Sequence, residues 1–172
     1  MENIEQDIVD RMRIDRKIAE VYILNYASLK KSYEKRKAEW MEKSRPPADT
    51  NIGGGKSNLP GHPVEAAAIK SVEYDSEQSD YLWLRAVGIA LRTFGERKRI
   101  FIACRQEAER QNDGCRGRHG WVVYTQRRYS EEIERRFINV KGWISDRRIR
   151  DLWHQIIDCV VEIHLRLKAN IF

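Results

Sequence analysis

All four prolines of this 172-residue chain fall in one short stretch, and their placement constrains the fold more than any other feature. The stretch SRPPADTNIGGGKSNLPGHP, from Ser44 to Pro63, also contains four of the ten glycines. Proline lacks a backbone N–H and glycine disfavours helix, so we predict a loop or linker over residues 44–62. The chain on either side of this stretch is free of proline, which permits long helices there.

The glycines of this loop precede Lys56 and Ser57, an arrangement that resembles part of a phosphate-binding loop. A Walker A loop requires Gly-x-x-x-x-Gly-Lys-Ser/Thr between a strand and a helix. Here Thr50 stands where the first glycine should be, and the prolines exclude the flanking strand and helix. The sequence therefore argues against a nucleotide site. A hinge or shaped loop is the favoured interpretation, and a contact with RNA polymerase is the alternative.

The residues before the loop (1–43) are predicted to form one long helix, from about Glu2 to Lys43. They contain no proline or glycine, and their apolar residues recur every three or four positions, as in an amphipathic helix. This apolar stripe comprises Ile4, Ile8, Ile18, Tyr22, Leu29, Tyr33 and Trp40. Such a helix packs on its own domain or pairs with a second copy, so a homodimer through this helix is a predicted assembly.

The residues after the loop (63–172) are predicted to form a helical domain. One helix starts near Pro63, and the next covers YLWLRAVGIALRTF with Ser79 or Asp80 as its N-cap. Gly95 separates this helix from ERKRIFIACRQEAER. WVVYT has strand-like residues but no second run to pair with, so no sheet is expected. The fold is therefore predicted to be all-α.

Two helices near the C-terminus, at about residues 129–169, have the pattern of a helix-turn-helix. A short helix over RRYSEEIERRFI, with Ser130 as its predicted cap, is followed by the turn NVKG. The last helix is predicted to begin at Ser145 as N-cap. Its apolar face comprises Ile149, Leu152, Trp153, Ile156, Val160, Ile163 and Leu167. In a helix-turn-helix, the N-terminal residues of the second helix enter the major groove of DNA.

The distribution of charge favours a nucleic-acid partner. The net charge is +6, and residues 95–150 hold 15 Lys and Arg against 8 Asp and Glu. All but two of these 15 residues are arginine, whose planar guanidinium suits phosphates and guanine edges. Such a segment predicts contact with double-stranded DNA, and a solvated charged surface is the alternative.

Helical geometry divides the predicted DNA contacts into two groups. The predicted base-reading residues lie opposite the apolar face of the last helix and are Arg147, Arg148, Asp151, His154 and Gln155. The predicted phosphate contacts are Arg127, Arg128, Arg135, Arg136, Lys141, Ser145 and Arg150. Because Arg147 and Asp151 are four residues apart, the carboxylate can steady the guanidinium or accept a hydrogen bond from a cytosine amine.

The sequence contains no pattern typical of an enzyme or of a metal site. The four histidines (His62, His119, His154 and His164) are scattered, and neither GxSxG nor HExxH occurs. Cys104, Cys115 and His119 lie in one stretch, but they lack the close ligand pairs of structural zinc. We predict no enzymatic activity, no cofactor and no metal, and a core position for His164.

No apolar run approaches the ~18 residues that a membrane-spanning helix needs. The N-terminal residues MENIEQDIVDRM include no apolar signal segment. The sequence therefore predicts a cytoplasmic protein that does not enter a membrane.

Three stretches resemble a known family: PADTNIGGGKSN in the loop, AAAIK in the helix after it, and S-x-R-x-I-x-x-x-W from Ser145 to Trp153. They resemble phage transcriptional regulators of the RinA family, related to the ArpU late regulators. The resemblance implies a DNA-binding activator of phage packaging and lysis genes, with a helix-turn-helix like region four of sigma factors. It also implies that Arg147, Arg148 and Arg150 begin the recognition helix and that Trp153 is its aromatic anchor.

Two other functions fit the same sequence pattern. One is a DNA-recognition subunit of a phage packaging complex, similar to a small terminase, in which the N-terminal helix drives ring assembly. The other is a helical module that binds host RNA polymerase and has little DNA affinity of its own. The mass in solution distinguishes a ring from a regulator, and a polymerase pull-down without DNA tests the third function.

Overall fold

The computed structural model describes residues 2–43, 63–111 and 120–169, with the side chains of 2–5, 63 and 64 left out. These ranges contain seven helices and no strand, which confirms the predicted all-α fold. The helices are α1 (Glu2–Leu24), α2 (Tyr26–Lys43), α3 (Pro63–Glu77), α4 (Ser79–Thr93), α5 (Glu96–Arg110), α6 (Gly120–Arg136) and α7 (Asp146–Ala169). The predicted loop, with Lys56 and Ser57, lies outside the described residues.

The prediction of one N-terminal helix is wrong, because the helix is interrupted at Asn25. The backbone N–H of Asn25 donates to the carbonyl of Val21 over 3.1 Å, and its side-chain amide donates to the same oxygen over 3.0 Å. Asparagine side chains compete in this way for local backbone groups, which makes the residue a poor helix former. The apolar periodicity continues across this position and gave no sign of the break.

The contacts between residues divide the chain into two compact units. The first consists of Met1–Tyr26 and Leu82–Phe172, and the second of Ala27–Tyr81. The sequence grouped α1 with α2 in residues 1–43, whereas the structure groups α1 with the C-terminal helices. The reason is packing, since α1 contacts α5 and α7.

The core of the first unit forms around α5 and α7. The Phe101 ring lies edge-on to Tyr129, with centroids 5.6 Å apart, and 6.4 Å from Trp153. The predicted apolar face of α7 is confirmed, since Ile149 and Ile156 are fully buried. The predicted core position of His164 is also confirmed. Its ring is buried and stacks on Trp83 with a centroid distance of 3.6 Å.

A buried arginine links helices of the first unit. Arg105 is 4% exposed, and its guanidinium lies 4.5 Å from the Trp121 ring and 5.4 Å from the Trp153 ring. It pairs with Glu109 at 2.8 Å and Glu20 at 3.7 Å. The indole N–H of Trp153 also donates to Glu20, over 2.9 Å. The network therefore joins α1, α5, α6 and α7, and places the predicted aromatic anchor Trp153 in the core.

The second unit is held together by aromatic side chains of α2 and α3. Tyr74 packs against Tyr33 and Trp40, with ring centroids 5.8 and 5.3 Å away. The Tyr33 hydroxyl donates to Asp75, which also accepts from Lys37 over 2.5 Å. Burial, followed by the bond to Asp75, raises the pKa of Tyr33. Tyr33 therefore stays protonated and acts as a hydrogen-bond donor.

Candidate nucleic-acid interface

The helix before the C-terminal turn is longer than predicted. α6 begins at Gly120 and includes WVVYT, so the strand-like residues belong to a helix. Val122, Thr125, Tyr129 and Ile133 are buried at spacings of three and four, which is a helical stripe that faces the core. The predicted N-cap Ser130 is wrong for the same reason, because it lies in the interior of α6.

The connection between α6 and α7 comprises residues 137–145. This is longer than the three or four residues typical of a helix-turn-helix turn, so the motif stays a prediction. Asn139 has a φ of 62°, a left-handed conformation that asparagine tolerates better than most residues. The connection is therefore a structured turn of its own rather than a minimal link.

Hydrogen bonds fix this turn to α6. The Ser130 hydroxyl donates to the carbonyl of Gly142 over 2.8 Å, and the Gly142 N–H donates to Glu134 over 3.1 Å. The Gln126 side-chain amide donates to the carbonyl of Ile144. Gly142 lies so close to α6 that a Cβ there would be 2.2 Å from the Ser130 carbonyl oxygen. The sequence indicated a turn at this glycine, but not the three polar partners on α6.

The predicted N-cap of the last helix is confirmed. The Ser145 hydroxyl oxygen accepts from the N–H of Arg148 over 3.3 Å, and the Ser145 carbonyl accepts from the N–H of Ile149 over 3.0 Å. The Ser145 hydroxyl accepts from only one of the free backbone N–H groups in the first turn, so the N-terminus of α7 keeps its partial positive charge. This end of the helix is therefore attractive to an anion such as a phosphate.

The predicted base-reading residues share the solvent side of α7. Arg147, Arg148, Asp151, His154 and Gln155 are all exposed. Arg147 has 92% of its side chain exposed, and its Nε lies 4.0 Å from Asp151. The structure thus brings these residues to one surface and supports the expected pairing of Arg147 with Asp151.

This surface ends about halfway along α7, where acidic residues begin to form other contacts. Asp158 pairs with Arg16 of α1 at 3.2 Å, and Glu162 forms an ion pair with Arg166 one turn later. The first turns of α7 hold Arg147, Arg148 and Arg150 beside Asp146 and Asp151, and its last turn holds Arg166 and Lys168. In a helix-turn-helix it is the N-terminal end that enters the groove.

The four arginines predicted as phosphate contacts on α6 are all engaged by carboxylates. Arg128 pairs with Glu131 at 2.8 Å and with Glu107 at 3.5 Å, and Arg127 lies 3.8 Å from Glu131. The hydrogen bond to Glu131 and the nearby Glu107 charge raise the pKa of Arg128. To contact a phosphate, each of these arginines must either bind the phosphate and its carboxylate partner together or break the ion pair.

The other pair, at the end of α6, shares one acceptor. Arg135 and Arg136 lie 2.7 and 3.1 Å from Glu132, and Arg136 is also 3.6 Å from Glu96. Their hydrogen bonds lower the pKa of Glu132, with the bond from Arg135 as the largest cause. Glu132 thus stays ionised and partly neutralises both guanidinium groups.

The remaining predicted phosphate contacts lie closer to α7. Lys141 is exposed on the turn, while Ser145 and Arg150 are half-buried. The turn also carries two exposed apolar residues that the sequence analysis did not single out, Trp143 at 76% and Ile138 at 90% exposure. The sequence shows only that these two residues lie between two predicted helices, and such a position does not predict whether a side chain is exposed.

The candidate metal ligands are not assembled in the part of the chain that the structure describes. No group of three His, Cys, Asp or Glu residues there is placed to hold a metal ion. Cys104 is buried in α5, and burial raises the pKa of its thiol to about 11. Cys115 and His119 lie outside the described residues.

Comparison of the chain with the models of known protein families, with curated proteins and with solved structures gives no match. Among the described helices, none combines the length and the apolar character required to cross a membrane.

Proposed function

We propose that this protein binds double-stranded DNA with the N-terminal turns of α7 in the major groove, and that it regulates transcription. One observation carries the proposal. The capped N-terminus of α7 presents Arg147 and Arg148 to solvent, while Ile149 and Ile156 on its opposite face are fully buried. Because the apolar face of α7 is packed in the core, the helix is held in place while its basic N-terminal end is accessible to a DNA groove.

The exposed residues match the chemistry of base recognition. A guanidinium donates two hydrogen bonds to a guanine, and a glutamine side chain pairs with an adenine. Arg147 and Gln155 are eight positions apart, which is about 12 Å of helix. This length covers about three or four base pairs at roughly 3.4 Å each.

The phosphate contacts in this proposal come mainly from the turn and the start of α7. Lys141 is exposed there, and the α7 N-terminus favours an anion. The α6 arginines contribute less, because each has a carboxylate within 4.0 Å. We therefore expect few released counterions and a shallow dependence of affinity on salt.

The regulatory part of the proposal rests on the resemblance of the glycine loop and the last helix to RinA-like phage regulators. On this basis we propose a late-gene activator in the cytoplasm of a bacterial host, without enzymatic activity, and with host RNA polymerase as a protein partner.

DNA binding is tested by fluorescence anisotropy with a labelled duplex over a series of salt concentrations. Arg147→Ala and Arg148→Ala should each weaken binding and reduce the preference for the base that the residue contacts, whereas Lys141→Ala should make the plot of log affinity against log salt shallower, by about 0.9 if one phosphate contact is lost. Arg166→Ala is the matched control, since Arg166 is 75% exposed at the other end of α7. Unchanged affinity of both N-terminal variants, or no binding of wild type to any duplex at low salt, would overturn the proposal.

A DNA-recognition subunit of a packaging complex is the second candidate function. It is favoured by the exposed apolar side chains Ile8, Val9 and Met12 on α1, because exposed apolar residues grouped on a helix are suited to assembly. A ring of many subunits would support this candidate, and a monomer or dimer would support the regulator.

A further inference from the structure

The turn between α6 and α7 displays a tryptophan to solvent. Trp143 is 76% exposed, although its neighbours on both sides, Gly142 and Ile144, are buried or half-buried. Tryptophan is highly buried on average in folded proteins. Folding does not require a large apolar ring at an exposed position, so the indole ring of Trp143 is available to a binding partner.

The backbone that carries Trp143 is fixed rather than loose. Gly142 exchanges hydrogen bonds with Ser130 and Glu134, and Ile144 accepts a hydrogen bond from Gln126. The residue on each side of Trp143 is therefore tied to α6. An aromatic side chain on a fixed backbone has only two χ angles to order on binding, which is the property of an anchor residue.

Trp143 also lies beside the proposed DNA-contacting surface. It precedes the N-cap Ser145 by two residues and follows the exposed Lys141 by two. On the other side of the cap, the helix begins with the exposed Asp146, which is followed by the exposed Arg147 and Arg148. The tryptophan is thus continuous along the chain with a basic surface, and this favours a polyanionic partner over an apolar protein.

We propose that Trp143 is a DNA contact that packs its indole ring against apolar parts of the duplex, the deoxyribose and the thymine methyl group, at the edge of the groove that receives α7. This proposal rests on the proposed DNA-binding function. Lys141 contacts the adjacent phosphate, and Trp143 adds an apolar contact that the arginines cannot supply.

The two kinds of contact differ in their response to salt. Binding of a cation to phosphate releases counterions, so its contribution falls as salt rises. An apolar contact releases none, so its contribution is the same at every salt concentration. Replacement of Trp143 should therefore lower the affinity without changing the salt slope, whereas replacement of Lys141 should change both.

The experiment compares wild type, Trp143→Ala, Trp143→Phe and Lys141→Ala by anisotropy across the same salt series. We expect Trp143→Ala to weaken binding by about tenfold, the scale of one well-packed aromatic contact, with an unchanged slope. Trp143→Phe should lose less, because it keeps an aromatic ring. Leu165→Ala is the matched control: Leu165 is 48% exposed and lies about 30 Å along α7 from Ser145.

Each result has a distinct meaning, provided that the thermal unfolding of the variants matches that of wild type. A parallel shift of the Trp143→Ala line supports the proposal. Equal affinity of Trp143→Ala and wild type overturns it while leaving DNA binding intact, as does a change of slope like that of Lys141→Ala. Absence of any duplex binding by wild type overturns both this proposal and the proposed function.

Discussion

Arg105 and Arg147 show how burial gives one residue type two different roles. Arg105 is 4% exposed between two tryptophan rings, and its charge is balanced by Glu20 and Glu109. A buried guanidinium needs such partners because removing a charge from water is costly. Arg147, with 92% of its side chain exposed, keeps its donors for a partner. Both residues contribute equally to the net charge, so only the exposed arginines argue for DNA.

At the same scale, His164 should make stability depend on pH. Burial lowers the pKa of His164 below its usual value near 6.5, and Asp15 offsets this only in part. The unfolded chain therefore binds the proton more readily than the folded protein. The free energy of unfolding should fall as the pH drops below about 6.5, and this contribution should level off below the lowered pKa of the folded state.

The measurement is urea unfolding at several pH values between 7 and 5. His164→Phe retains an aromatic ring beside Trp83 but carries no titratable group, so its stability should fall less over this range than that of wild type. Equal pH dependence of the two proteins would show that His164 does not titrate as its burial predicts.

At the scale of elements, the turn before α7 is built from partners on α6. Hydrogen bonds from Ser130 and Gln126, and one to Glu134, position the residues that precede Ser145. The turn therefore decides where the N-terminus of α7 points, while the buried face of α7 decides how firmly the helix is held. The turn and the buried face of α7 can be changed independently. The turn depends on a few polar hydrogen bonds to α6, and the buried face depends on apolar contacts along the helix.

Gly142→Ala should displace this turn. Its Cβ would lie 2.2 Å from the Ser130 carbonyl oxygen, so the backbone of the turn must move away from α6. We expect a loss of about 1–3 kcal/mol in the free energy of unfolding, as for other overpacked sites, together with weaker DNA binding. Denaturant unfolding and anisotropy measure the two effects.

Gly95→Ala provides the comparison for this substitution. Gly95 is the N-cap of α5, and a Cβ there meets no atom within 4 Å. This variant should therefore lose at most about 1 kcal/mol, the value of an N-cap preference. Equal stability and DNA affinity of Gly142→Ala and wild type would contradict the role assigned to the turn.

The helices themselves show how far local sequence determines an element. The capped start of α7 and its apolar face follow from residue types that act locally, and both predictions are confirmed. Asn25 and WVVYT were misjudged for different reasons. The bond of Asn25 to Val21 reflects a local preference of asparagine, but the apolar periodicity continues across this position and favoured an unbroken helix. The burial of Val122 and Thr125 depends on tertiary contacts that residue preferences do not contain.

At the scale of the whole molecule, α1 is the element most suited to join two copies. Ile8 and Met12 are exposed, yet by helical spacing they lie on the same side as the buried Ala19 and Ile23. Residues 2–10 contain four acidic residues and no basic one, whereas residues 11–17 contain four basic residues and one acidic one. An antiparallel pair of α1 helices would therefore bring opposite charges together around an apolar centre.

Light scattering of the purified protein tests this arrangement. We expect a dimer, with twice the chain mass of 20.4 kDa, and a monomer for Met12→Glu, because a carboxylate would be buried in the interface. Ile14→Glu should remain dimeric, since Ile14 is also exposed but lies about 200° around the helix from Met12. A monomeric wild type would contradict the pairing, and a large ring would favour the packaging candidate.

The sequence by itself determined the helical content, the position of the proline-rich stretch and the amphipathic last helix with its serine cap, because these follow from local preferences and periodicity. It also selected the solvent-facing residues of α7, since helix geometry assigns them once one face is buried. Only the tertiary structure decided that α1 joins the C-terminal helices, that Arg105 lies in the core and that Trp143 faces solvent. These features depend on contacts between residues distant in the chain, and local residue patterns do not predict such contacts.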